Sequence, residues 1–175
     1  MDEFARIARY LAPLATGEGA FGLGNDAAVL EGGPFAITKD CLIAGVHFIG
    51  DEAPALLAQK ALAVNLSDLA AMGARPTGYL LGLMLPRKTD EAWFASFAQG
   101  LAIMQDRFGI VLLGGDTTAT PGPLSLSVTA LGMLAGPALG RDGAQAGDGI
   151  YVTGTLGDAA LGLDVLRGLY PPDAH

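Results

Sequence analysis

The pattern of apolar and polar positions along the chain predicts an alternation of helices and strands. Some segments repeat apolar side chains at helical spacing, whereas other short apolar or alternating segments are bounded by glycine and proline, as strands are. The predicted helices cover residues 3–15, 54–73, 89–109 and 158–169. The predicted strands cover residues 27–30, 35–40, 79–85, 110–113, 124–130 and 150–153. This order is typical of a compact α/β protein.

The end of this pattern indicates a second structural unit. Gly136-Pro137 and the polar stretch from Arg141 to Gly149 have the composition of a boundary. After it come one predicted strand, one turn and one helix, which cannot bury both of their faces alone. We therefore expect a first domain over residues 1–137 and, over residues 138–175, the strand-turn-helix that begins a truncated second α+β domain.

Composition and charge narrow the class of protein. The 175 residues carry 18 acidic and 10 basic side chains, a net charge of −8, which argues against nucleic acid or an anionic membrane as partner. Cys41 is the one cysteine, so an internal disulfide is excluded and a reducing compartment is favoured. No apolar run reaches membrane-spanning length, and the acidic N-terminus is unlike a signal peptide. We expect a cytoplasmic protein that needs divalent cations if it binds nucleotides.

Asp68 is the most informative residue, because the predicted helix around it is otherwise apolar on nearly every side. A buried carboxylate must be neutralised, paired or bound to a cation. Asn65 lies one turn earlier on the same helix face, so the two side chains offer the oxygen ligands that hard cations prefer. Two other readings remain open for Asp68. It forms an ion pair with Lys60, or it lies in an exposed patch at a helix end.

Three further acidic residues, Asp26, Asp40 and Asp116, lie next to glycines or near a strand end. Gly24-Asn-Asp26 and Gly114-Gly-Asp116 read as turns whose backbone can approach a ligand closely. Aspartates are also common in turns without any function. Four carboxylates in one place would repel one another unless cations lay between them, so together they favour a metal–phosphate site of the kind that Mg²⁺ forms.

Other nucleotide and catalytic motifs are weak or missing. No Walker-type loop is present, and Gly22-Leu-Gly24 matches the dinucleotide fingerprint formally but precedes a strand-like segment rather than a long helix. A Ser-His-Asp triad is disfavoured because His47 and His175 are the only histidines and no nucleophile elbow occurs. His47 is either a structural histidine or a donor to substrate. Arg141 is either a surface charge or a phosphate clamp.

Five motifs in a fixed order closely resemble the thiamine-monophosphate kinase family. They are Gly-Asn-Asp-Ala-Ala-Val-Leu (24–30), Thr-Lys-Asp-Cys-Leu-Ile-Ala-Gly-Val-His-Phe (38–48), Lys-Ala-Leu-Ala-Val-Asn-Leu-Ser-Asp-Leu-Ala-Ala-Met-Gly-Ala (60–74), Gly-Gly-Asp-Thr-Thr (114–118) and Gly-Asp-Gly-Ile-Tyr-Val-Thr-Gly-Thr-Leu-Gly-Asp (147–158). The third motif is also similar to the wider superfamily of aminoimidazole ribonucleotide synthetases, selenophosphate synthetases and hydrogenase-maturation proteins. The Gly-Val-His-Phe step favours the thiamine enzyme.

The resemblance implies a fold, a reaction and residue roles. The implied domain is α+β, with a mixed, largely antiparallel four-stranded sheet, helices on one face and a homodimer in which two such sheets form a barrel. The implied reaction transfers the ATP γ-phosphoryl group to thiamine monophosphate, which fits a site built from Mg²⁺ and carboxylates without a protein nucleophile. Mg²⁺ would be held by Asp26, Thr38, Asp40, Asp68 and Asp116. ATP would be contacted by Gly115, Asp116 and Arg141, and the thiamine phosphate by His47.

The chain departs from that family in three respects. Asn25 replaces an aspartate beside Asp26, and Lys39 replaces a threonine, so its ammonium either competes with a metal or points away. The family's second domain, with its own ATP and substrate residues, is represented only by its opening. Two alternatives therefore stay open. The chain is a nucleotide-binding or dimerisation module without catalysis, or it belongs to another ATP-dependent enzyme of the same superfamily.

Overall fold

The computed structural model describes residue 24, residues 28–30 and residues 33–171. In chain order the elements are β1 (Ala28–Leu30), β2 (Phe35–Ile43), α1 (Pro54–Ala71), β3 (Ala74–Pro86), α2 (Glu91–Phe108), β4 (Val111–Thr120), β5 (Ser125–Leu134) and α3 (Asp158–Leu166). The predicted helix over residues 3–15 and the predicted ligand Asp26 lie outside the described residues.

The strands form one mixed sheet in the order β1-β2-β5-β3-β4. All neighbouring strands are antiparallel except β3 and β4, which are parallel. The sheet is therefore mixed and largely antiparallel, as expected, with four long strands and the three-residue β1 at one edge. The predicted hairpin is confirmed by the pairing of β1 with β2.

The main core lies between this sheet and helix α1, which packs against β2, β3 and β5. Strand β5 shows why the sheet has one buried face, because Leu126, Val128 and Ala130 are buried while the residues between them are not. Helix α2 packs on α1. Gly100 makes that contact possible, since a Cβ there would overlap the Ala55 backbone.

The helix ends follow the sequence signals. Pro54 begins α1, and Gly73, with φ of 70°, follows the C-cap Met72, as predicted. The Asp90 side chain accepts a hydrogen bond from the Trp93 amide (2.8 Å) at the start of α2. Gly109 ends that helix in the left-handed conformation.

Two predicted elements are wrong. Gly114-Gly-Asp116 does not form a turn but continues β4, which pairs with β3 in register from Leu80–Gly114 to Pro86–Thr120. Residues 150–153 form no strand, and Ile150 is fully exposed. A single strand needs a neighbour for its backbone hydrogen bonds, and the described residues near it supply none.

The chain divides into two compact units between Asp142 and Gly143, a few residues after the boundary predicted from sequence. In the first unit, the segment that follows β5 contacts the end of α1. The Leu139 amide donates to the carbonyl of Met72, the C-cap residue of α1, at 3.2 Å. The second unit contains α3, none of whose residues is buried. Among the residues that the structure describes, every helix is too short or insufficiently apolar to cross a membrane.

Candidate functional site

The candidate site lies where β2 faces α1. Thr38 and Asp40 pair with Ala130 and Val128 of β5, so their side chains share the sheet face on which α1 packs. Thr38 is 4% exposed, and its hydroxyl donates a 2.5 Å hydrogen bond to Asp68 Oδ2 on α1. The structure thus brings together three residues that the resemblance assigns to the metal, one from the helix and two from the strand.

Asp68 lies close enough to Asp40 to affect the pKa of the Asp40 carboxyl. Partial burial raises the pKa of Asp40 above its ordinary 3.8, the neighbouring Asp68 carboxylate raises it further, and His47 opposes the shift. A partly buried carboxyl group near a second carboxylate favours the uptake of either a proton or a cation at the site. The sequence predicted repulsion between carboxylates, and here the repulsion between Asp40 and Asp68 contributes to the raised pKa of Asp40.

His47 belongs to the same neighbourhood. It lies in the exposed loop of residues 44–53, which joins β2 to α1. Its Nδ1 accepts a hydrogen bond from the Ile43 amide (3.1 Å), so the neutral imidazole carries its proton on Nε2. Within the described residues no hydrogen bond of Nε2 is seen, so the ring keeps an N–H donor for an anionic ligand, and His47 lies near enough to Asp40 to lower the pKa of that carboxyl.

The side-chain oxygen of Asn65 also bears on whether these residues fit a cation. Asn65 is completely buried, and its amide nitrogen donates to the Ala61 carbonyl at 3.0 Å. Its Oδ1 is buried without a hydrogen-bond partner among the described residues. An unpaired buried oxygen is costly. Carboxylate, hydroxyl and amide oxygens are the donors that Mg²⁺ takes, so this set fits the ion chemically.

The ion pair between Asp68 and Lys60 is not observed. The two residues lie eight positions apart on α1, about 12 Å along the helix axis. Lys60 Nζ instead donates to the His47 carbonyl at 2.5 Å. Lys39 also points away from the site, because its ammonium contacts Ser127 Oγ (2.5 Å) and Thr129 Oγ1 (3.2 Å) on the opposite sheet face.

Gly115 and Asp116 lie apart from these residues. Gly115 occupies the same row of the sheet as Asp40, but β5 and β3 lie between them, a separation of about 14 Å. Asp116 pairs with Gly82 of β3, which in turn pairs with Ser127 of β5. Because Ser127 lies on the sheet face opposite α1, Asp116 lies on that face too. Asp116 therefore does not join Asp40 and Asp68 around one cation in this arrangement.

Gly115 has a packing role that the sequence did not reveal. A Cβ at this position would overlap the carbonyl oxygen of Leu81 on β3. The glycine thus lets β4 pair closely with β3, whereas its sequence context indicated close approach of a ligand. Arg141 is exposed in the loop that ends the first unit, and its side chain is not free of interactions.

No three His, Cys, Asp or Glu side chains are arranged to hold a metal ion within residues 24, 28–30 and 33–171. The pair Asp40–Asp68 is the centre of the candidate site, and Asp26, the fourth predicted carboxylate, lies outside the described residues. Sequence reasoning missed the bond from Lys60 to the His47 loop. The distance between Lys60 and Asp68 along the helix was a signal against their pairing.

Comparison with known proteins gives one family match and consistent relatives. Residues 24–134 match the N-terminal domain of the AIR synthase related proteins. The thiamine-monophosphate kinase of Escherichia coli K12 is 48% identical over 171 residues, which cover 94% of this chain and 52% of that enzyme. The chain therefore spans about half the length of this curated relative.

Solved structures agree with that match. The thiamine-monophosphate kinase of Stenotrophomonas maltophilia K279a has a TM-score of 0.73 and 46% identity, covering 96% of this chain and 54% of that one. The structure of AaThiL complexed with AMPPCP and TMP has a TM-score of 0.79 and 31% identity, covering 87% of this chain and 54% of its own. Both support the α+β fold described above.

Proposed function

The chain belongs to the family of AIR synthase related proteins, as their N-terminal domain, and on that premise we propose that its protein phosphorylates thiamine monophosphate with ATP. The products are thiamine diphosphate and ADP. The observation that carries this proposal is the 48% identity to the Escherichia coli thiamine-monophosphate kinase along almost the entire chain. The AMPPCP and TMP bound by AaThiL, taken as an ATP analogue and thiamine monophosphate, support the same pair of substrates.

We propose that Thr38, Asp40 and Asp68 hold Mg²⁺, together with Asp26. The support is their oxygen chemistry, the Thr38–Asp68 hydrogen bond and the raised pKa of Asp40. The ion would neutralise charge on the phosphates of ATP and thereby favour in-line transfer. Gly115, Asp116 and Arg141 complete the proposal as nucleotide contacts. Asp116 would contact a different part of the nucleotide, because it lies on the opposite face of the sheet from Asp40.

The residues of the chain would bind and orient rather than react covalently. Asp40 and Asp68 provide a fixed negative pair on a strand and a helix, which are rigid supports for a charged ligand. His47 would donate its Nε2–H to the phosphate of thiamine monophosphate. Phosphoryl transfer needs positioning and charge neutralisation above all, so this division of roles matches the chemistry.

A homodimer in the cytoplasm is part of the same proposal. Within the first unit, the sheet face opposite α1 leaves Leu80 44% and Met133 40% exposed, which suits an apolar contact with a second copy. The acidic charge and the single cysteine support a reducing compartment without nucleic acid or membrane partners.

The proposal is tested by assaying the complete reading frame for thiamine diphosphate formation from ATP and thiamine monophosphate, with and without Mg²⁺. We expect Mg²⁺-dependent product. Activity with a different phosphate acceptor, and none with thiamine monophosphate, would refute the proposed substrate and favour another enzyme of the same family.

A second candidate is a nucleotide-binding module without catalysis when the 175 residues stand alone. The separation of Asp116 from Asp40 and Asp68 favours it, since the described residues do not gather a complete ligand set. Turnover of thiamine monophosphate by the chain itself would exclude this candidate. Binding of nucleotide without turnover would support it.

A further inference from the structure

The loop of residues 44–53, which carries His47, is held by several polar contacts. At its start the His47 amide donates to the Ile43 carbonyl at 2.9 Å, while the Ile43 amide donates to His47 Nδ1 at 3.1 Å. These two bonds join the backbone and the imidazole to the last residue of β2. They fix the ring relative to the strand that carries Asp40.

The second half of the loop is closed by Glu52. Its carboxylate accepts the amides of Ile49 (2.6 Å) and Gly50 (2.7 Å). Although partial burial opposes it, these amides and the nearby Lys60 ammonium hold the pKa of Glu52 below its ordinary 4.5. The carboxylate is thus a stable anion at neutral pH, positioned next to Lys60.

Lys60 connects this loop to helix α1. It lies on the exposed side of α1, yet its Nζ reaches back 13 positions to the His47 carbonyl at 2.5 Å. A cation that donates to a carbonyl makes a stronger hydrogen bond than a neutral donor does. Because Asp68 lies on the same helix, Lys60 couples the position of His47 to the position of that carboxylate.

We infer that Lys60 is a positioning residue for the phosphate acceptor, acting through the His47 carbonyl to hold the imidazole near Asp40 with its Nε2–H available to the acceptor. This inference rests on the proposed function for the identity of the acceptor. The positioning of the His47 imidazole by Lys60 does not depend on the proposed function. As a positioning residue, Lys60 acts through the loop that carries His47, so its loss should affect the acceptor more than the nucleotide.

The first test follows the His47 ring in the 175-residue chain by long-range ¹H–¹⁵N NMR at pH 8. The His47→Gln variant identifies the His47 signals and separates them from those of His175. We expect the parent chain to show one tautomer, with the proton on Nε2, and Lys60→Met to show a mixture of both. Lys60→Arg should restore the single tautomer, and Lys88→Met, the loss of another exposed lysine, should leave it unchanged.

The second test measures steady-state kinetics in the complete reading frame. We expect Lys60→Met to raise KM for thiamine monophosphate by about 3- to 10-fold, with kcat and KM for ATP within about twofold of the parent. Lys60→Arg should recover most of the loss. Equal increases in both KM values would overturn a role specific to the acceptor.

The two tests separate the inference from the proposed function. An unchanged His47 tautomer in Lys60→Met would overturn the inference whatever the enzyme phosphorylates. A mixed tautomer that Lys60→Arg reverses would support the positioning role even if thiamine monophosphate proved not to be the acceptor. In that case only the proposed function fails.

Discussion

At the residue scale, the candidate site depends on a balance between Asp40 and Asp68. The buried Thr38 hydroxyl stabilises the Asp68 carboxylate, whereas Asp40 has no comparably short bond among those described and carries the raised pKa. Ionisation of Asp40 therefore has a cost: it lowers the free energy of unfolding. A cation that binds between the two carboxylates would remove that cost, so the same residues link stability, pH and metal binding.

Replacement of Asp40 by Asn should make this cost visible as a pH dependence. The pKa of Asp40 is raised in the folded state, so the folded chain holds the proton more tightly and loses stability as pH rises from about 3.8 through the folded pKa. Without Mg²⁺, the advantage of Asp40→Asn in free energy of unfolding should grow through that window and then level off. Urea unfolding between pH 3.5 and pH 7 measures it. An advantage that shrank as pH rose would contradict the assigned direction.

Replacement of Thr38 by Val keeps the shape of the side chain but removes the hydroxyl that donates to Asp68. We expect the free energy of unfolding to fall by about 1.5–3 kcal/mol, the range for a hydrogen bond to a charged group. Thr117→Val on the exposed strand β4 is a matched control and should change it by less than about 0.5 kcal/mol. Equal effects of the two substitutions would show that the Thr38–Asp68 bond contributes little.

At the element scale, sequence reasoning succeeded where a local signal decides the structure. Pro54 and Gly73 bracket α1 because proline and glycine fit helix ends for conformational reasons that do not depend on the rest of the protein. It failed for Gly114-Gly-Asp116, where glycines indicated a turn. The structure uses them to bring β4 against β3, and that contact depends on a strand more than thirty positions earlier in the sequence.

Gly115→Ala tests that packing role. The added methyl group would overlap the Leu81 carbonyl, so β4 must shift away from β3 at a cost of about 1–3 kcal/mol. Hydrogen–deuterium exchange should show faster exchange of β4 amides, with α1 protected as in the parent. Gly136→Ala, where a Cβ would meet no atom within 4 Å, is the control. Unchanged exchange in β4 would indicate that the pairing with β3 does not need a glycine there.

At the scale of the whole molecule, the sequence motifs predicted the class of fold, but not how the candidate site residues are distributed over the sheet. The four carboxylates were grouped because repulsion between them suggested a shared cation. The register instead places Asp116 on the other face of the sheet from Asp40. Strand pairing is decided by long-range packing, so motif spacing along the chain cannot reveal which face a residue occupies.

The partner of Lys60 illustrates the same limit. Its charge and its nearness in sequence to Asp68 made an ion pair plausible, but helix geometry directs it to the loop of residues 44–53.

The most direct test of the Asp40–Asp68 site is calorimetric titration of the chain with Mg²⁺ and AMPPCP, comparing the parent with Asp68→Asn. We predict Mg²⁺-dependent binding by the parent and at least about tenfold weaker binding by Asp68→Asn. Its free energy of unfolding should change little, because relief of repulsion with Asp40 offsets the weaker bond to Thr38. Equal affinity of both proteins for the Mg²⁺–AMPPCP pair would contradict the assignment of Asp68 to the metal.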